Sequence, residues 1–129
     1  MNQKSQNAET IRKTARAIEE TFGTFIIDGT RRRENVITRV AFTNAIIENK
    51  PFPMSISRLA ELINKNHATL LHYRKSKYVY ESESLYVDVY NKTRTIIVRQ
   101  GDLDNNREES ILEIIENIKD LADLLKMNL

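Results

Sequence analysis

The sequence predicts an all-α fold, a compact helical domain followed by a separate amphipathic helix. Three observations carry that expectation. Apolar residues recur at alternating spacings of three and four in several segments, the period of a helix face. The three glycines and two prolines fall between those segments rather than inside them. The stretch from Ser57 to Lys75 reads as two short helices split by the polar turn Asn64-Lys65-Asn66, with bases and hydrogen-bonding side chains loaded on the second. That is the pattern of a helix-turn-helix, which sets a reading helix into the major groove of DNA.

The elements follow in order. Ile11, Ala15, Ile18 and Phe22 give one apolar face from Ala8 to Phe22, and Gly23 ends that helix. Phe25, Ile26 and Ile27 form a short apolar stretch closed by Asp28-Gly29, a turn signal. Thr30 is placed to cap a second helix whose inward face holds Val36, Val40, Ala41, Ile46 and Ile47. Pro51-Phe52-Pro53 stops it and makes a stiff connector. Ser55 or Ser57 caps a third helix with Leu59, Leu62 and Ile63 inside, and Asn66 caps a fourth from His67 to about Lys77. Between Glu81 and Arg99, Leu85, Val87 and Val89 alternate like a strand. Leu85, Val89, Ile96 and Ile97 suit a helix instead, and the length without Gly or Pro favours the helix.

A polar loop from Gln100 to Asn106 leads to the final segment. There Ser110 is placed as a cap, and Ile111, Ile115, Ile118, Ala122, Leu125 and Leu129 make a heptad seam of just under three repeats. Two readings of that seam stay open: a helix packed on its own domain, or a dimer contact. The expected organisation is a helical DNA-binding domain over residues 1–100, with the helix-turn-helix at 57–77, and an acidic C-terminal helix over 107–129.

Composition narrows the function. The chain has 129 residues, 40% hydrophobic and 29% charged, which suits one soluble globular domain with a modest core. It has no cysteine, so disulfide scaffolds and thiolate metal sites are excluded, and a reducing, cytoplasmic setting is expected. No apolar run reaches the roughly 18 to 20 residues of a membrane span, and the first residues lack the apolar core of a secretory signal. Net charge is only +2, yet residues 30–80 hold ten bases against three acids, whereas residues 101–129 hold three bases against eight acids. A basic body with an acidic tail points to a polyanion partner.

Catalytic signals are few. With glycine only at 23, 29 and 101 there is no phosphate-cradling loop, and there is no Gly-x-Ser-x-Gly elbow. His67 and His72 lie five residues apart, off one helical face, which is a poor metal pair. No enzyme, cofactor or metal is expected.

The residues Leu59-Ala60 followed by Asn66-His67-Ala68-Thr69-Leu70-Leu71-His72 resemble the signature of the C-terminal DNA-binding domain (domain IV) of the bacterial replication initiator DnaA. That signature joins an Ile-Gly pair to an Asp-His-Thr-Thr-Val-x-His stretch opening the recognition helix. Phe22-Gly23 and Arg31-Arg32-Arg33 are similar to its Phe-Gly and basic loop, with Arg39 matching an arginine on the next helix. The resemblance covers residues 17–97 and implies that His67 and Thr69 touch bases and backbone. Asn66 stands where the family has aspartate, and Ala68 where it has threonine. Aspartate accepts from cytosine N4, whereas asparagine pairs with adenine N6 and N7, so a different sequence preference is expected.

The residues themselves point the same way. A helix N-terminus favours a phosphate. His67, Ala68 and Thr69 offer a donor, a methyl surface and a hydroxyl, while Lys65, Tyr73, Arg74 and Lys75 are placed to grip flanking phosphates. Arg31, Arg32 and Arg33 are placed for a narrow minor groove. Each has a plainer reading: His67 as a surface cap residue, the tyrosines as core, the arginine run as solvated surface. The expected function is a double-stranded DNA-binding protein, a small regulator or accessory factor in replication, transcription or a mobile element, nucleoid-associated in a bacterial or phage-infected cell. The alternative is a protein-interaction module acting through the C-terminal helix.

Overall fold

The computed structural model describes residues 3–27, 29, 31–49 and 51–99. The chain divides into two units, Met1–Val98 and Arg99–Leu129. The expectations for Thr30 and for the 107–129 helix, including Ile111, Ile115, Ile118, Ala122 and Leu125, lie outside the described residues.

Among the described residues the structure is all-helical: α1 (Gln3–Phe22), α2 (Arg33–Asn49), α3 (Ile56–Leu62), α4 (His67–Lys75), α5 (Lys77–Tyr80) and α6 (residues 84–99). No strand occurs among them, and the segment from 84 is helix as its length suggested. No helix among them is long and apolar enough to cross a membrane.

The first unit is built around α2, which packs on α4 and α5, while α3 joins α1 to α4. α1 buries Ala8, Ile11, Ala15 and Ile18 on one stripe. It stops at Gly23, whose φ of +65° is left-handed and whose N–H donates to the Glu19 carbonyl at 2.9 Å. α6 buries Tyr86, Val89, Thr93 and Ile97, again at helical spacing.

α2 departs from the amphipathic helix expected. Every residue from Ile37 to Ile46 is buried, polar ones included: Thr38, Arg39, Thr43 and Asn44. A helix surrounded on all sides cannot leave a polar face in water, so its polar groups need partners inside. Asn44 shows how this is met. Its Nδ2 donates to the Tyr86 hydroxyl at 3.1 Å and the Tyr73 carbonyl at 3.4 Å, and its Oδ1 accepts from Arg74 at 3.0 Å. One buried amide thus ties α2 to both α4 and α6. Tyr90 extends this seam by stacking on Tyr86, ring centroids 6.0 Å apart.

Candidate nucleic-acid interface

The connection between α3 and α4 is determined by local chemistry. Ser55 caps α3, its Oγ accepting from the Arg58 N–H at 3.1 Å. The helix closes in a Schellman arrangement. Lys65 N–H donates to the Ala60 carbonyl at 2.8 Å, and Asn64 N–H to Glu61 at 3.2 Å. Asn64 takes the left-handed position, φ 58°, which asparagine tolerates better than most residues. Asn66 then caps α4, its Oδ1 accepting from the Thr69 N–H at 2.8 Å and the Thr69 hydroxyl at 3.0 Å. Ser57 Oγ lies 2.8 Å from His67 Nδ1 and pins the first residue of α4 to α3. Ala60 is buried, and its small size suits the packing of α3 against α4.

These contacts fix the candidate reading edge. Asn66, His67 and Ala68 are exposed and Thr69 is half-exposed. The Asn66 Oδ1 is engaged twice by Thr69, so the bidentate adenine pair expected of Asn66 conflicts with the cap. The edge that remains presents the His67 ring, the Ala68 methyl and the Nδ2 of Asn66.

The basic residues divide into three groups. Arg31, Arg32 and Lys75 are exposed, and none makes an ion pair among the described residues. Arg33 and Arg74 are engaged with carboxylates. Arg33 is not on the loop but opens α2, where it pairs with Glu83. Arg74 shares Glu48 with Lys77, at 3.2 and 2.9 Å. The bond to Glu48 holds the Lys77 ammonium above its ordinary range. Lys65 is half-buried.

Two expected contact residues lie in the core. Arg39 is 4% exposed, and its Nε donates to the Ile26 carbonyl at 3.2 Å. Tyr73 is 7% exposed, and its hydroxyl lies beside Arg39. Burial pushes the Tyr73 phenol upward, and Arg39 opposes that shift. Both corrections have one cause. α2 and α4 pack face to face, and these side chains occupy the seam between them rather than the outer surface.

The loop before α2 is held by side chains of the helices on either side of it. Phe25 N–H donates to Asn35 Oδ1 at 2.9 Å, and Ile26 N–H to Glu19 Oε2 at 2.8 Å. Neither Asn35 nor Glu19 was singled out from the sequence. The only signal for Asn35 was a polar residue next to the apolar stripe of a helix, and Glu19 gave none.

Among the described residues no three His, Asp or Glu side chains come together as metal ligands. His72 lies 3.3 Å from the hydroxyl of Ser76, the C-cap of α4. A groove of 740 Å³ beside the Pro51–Pro53 connector is lined by Ile46, Ile47, Phe52, Met54 and Leu59 among others, with no ionisable side chain. What the α3–α4 face offers is an outward row of hydrogen-bonding groups on a braced helix end, with exposed arginines on the loop preceding α2. Comparison with protein-family models, characterised proteins and solved structures finds no match to this chain.

Proposed function

We propose that the chain is a non-enzymatic double-stranded DNA-binding protein, a small regulator or accessory factor in replication, transcription or a mobile element. In this reading α3, the turn and α4 act as a helix-turn-helix. The observation that carries it is the α4 N-terminus. A capped, braced helix end displays Asn66, His67 and Ala68 outward, with free backbone N–H groups and the positive end of the helix dipole beneath them. Arg31, Arg32 and Lys75 supply exposed positive charge for phosphates, which set register and most of the affinity. His67 and Ala68 supply the sequence preference, with a histidine donor for a purine acceptor and a methyl surface for thymine.

Duplex binding titrated at two salt concentrations tests this. Affinity is expected to fall steeply with salt, with a log–log slope of about −0.9 per neutralised phosphate. Arg32→Ala is expected to weaken binding to all sequences, and His67→Ala to flatten the preference among them. Absence of binding at about 50 mM salt overturns the reading and favours a protein-interaction module.

A further inference from the structure

The geometry points to Arg39 as a positioning residue that locks the loop, at Ile26 and Gly29, onto α2 and so against α4, on which α2 packs, so that Arg31, Arg32 and the α4 edge meet one duplex as a preset pair of contacts. This rests on the DNA-binding reading above. Arg39 lies at 4% exposure, where a guanidinium loses its hydration. An apolar side chain of similar volume in such a place is commonly no less stabilising, so stability alone does not account for a buried arginine. Its reach does. Nε donates to the Ile26 carbonyl of the loop at 3.2 Å, and the Tyr73 hydroxyl of α4 lies beside the guanidinium.

Gly29 supplies the third contact. A Cβ at that position would collide with Nη2 of Arg39 and lie 2.8 Å from Cβ of Phe25. The loop main chain therefore passes directly over the guanidinium, two residues before Arg31. Behind the lock, Asn35 and Glu19 hold the amides of Phe25 and Ile26. The loop is anchored on α1 and α2 before the first exposed arginine begins.

The functional consequence is linkage. Two weak contacts on one rigid body act as a single strong one, because the second binding event meets a high effective concentration and orders nothing new. Without the lock, Arg31 and Arg32 keep their charge but lose their register to α4.

The test is a double-mutant cycle on the full chain: Arg39→Lys against Arg32→Ala, read by duplex affinity and its salt slope. In the wild-type background Arg32→Ala is expected to weaken binding about tenfold and reduce the salt slope by about one. In the Arg39→Lys background the same change is expected to cost less than about twofold, a coupling that a merely structural role would not produce. Tyr73→Phe, which removes the hydroxyl beside the guanidinium while keeping the ring, is expected to show the same loss of coupling in smaller measure, and it serves if Arg39→Lys does not fold. Ile97→Val, a core change on α6, which supplies none of these anchors, is expected to lower stability and leave the Arg32 effect at full size. Additive effects of Arg32→Ala with both Arg39→Lys and Tyr73→Phe overturn the lock while the DNA-binding reading stands. A wild-type chain that binds no duplex overturns both.

Discussion

The turn between α3 and α4 and the loop before α2 carry the two halves of the proposed interface, and they are held in opposite ways. The turn's side-chain bonds, Asn66 to Thr69 and Ser57 to His67, lie at the exposed surface, and Lys65 closes it on Ala60. The loop's bonds, to Glu19 on α1 and to Asn35 and Arg39 on α2, are part-buried or buried. The turn depends on its own sequence, whereas the loop depends on the assembled core. Damage to the core should therefore reach the arginines before it reaches the reading edge.

The strongest way to break this contrast is Ile26→Ala. Ile26 is fully buried and is the loop's apolar anchor. Its truncation is expected to cost about 2–4 kcal/mol in a denaturant titration. Amide exchange is expected to rise at Phe25 to Ile27 and stay unchanged from Asn64 to Thr69. Equal acceleration in both segments would erase the distinction. A smaller effect is expected from the turn's own cap. Asn66→Ala is expected to cost about 1 kcal/mol, and Asn66→Asp to restore most of it, since a carboxylate caps as well and suits the helix dipole. Exchange protection in the loop is expected not to change in either variant.

The smallest effect concerns pH and belongs to the core seam alone. Burial raises the phenol pKa of both Tyr73 and Tyr86 above the ordinary 10.0. Above that pH the unfolded chain releases phenolic protons that the folded chain keeps, so the unfolded state gains and stability falls as pH rises. Tyr73→Phe is expected to flatten the alkaline limb of a Tm-against-pH profile, whereas His67→Ala leaves that limb unchanged.

The same contrast explains what could be read from the residues alone. Gly23 as a helix stop, Ser55 as one of two candidate caps, Asn66 as the cap of α4 and the turn at Asn64 each follow from chemistry within a few residues, and each stands in the structure. Arg39 and Tyr73 could not be placed this way. A basic residue on a helix after an arginine run looks like surface, and only the packing of α2 against α4 puts it inside. Asn44 and Glu48 were equally silent, because their partners Tyr86, Arg74 and Lys77 lie 26 to 42 residues away. The exposed edge at His67 and Ala68 was legible because helix capping fixes which residues open α4. What Asn66 has left to offer a base was not, because that depends on Thr69 turning its hydroxyl back onto the cap.

Asn44 also sets how lengths can vary in this chain. Its three hydrogen bonds run to fixed points on α4 and α6, and successive residues of a helix are turned by about 100°. Adding or deleting one residue between Arg33 and Asn44 would swing that amide away from Tyr86 and Arg74, and would move Arg39 off the loop as well. The α2 segment therefore has a fixed length, whereas the Pro51–Pro53 connector, with no such hub, is where a related chain can gain or lose residues while keeping the α3–α4 face intact.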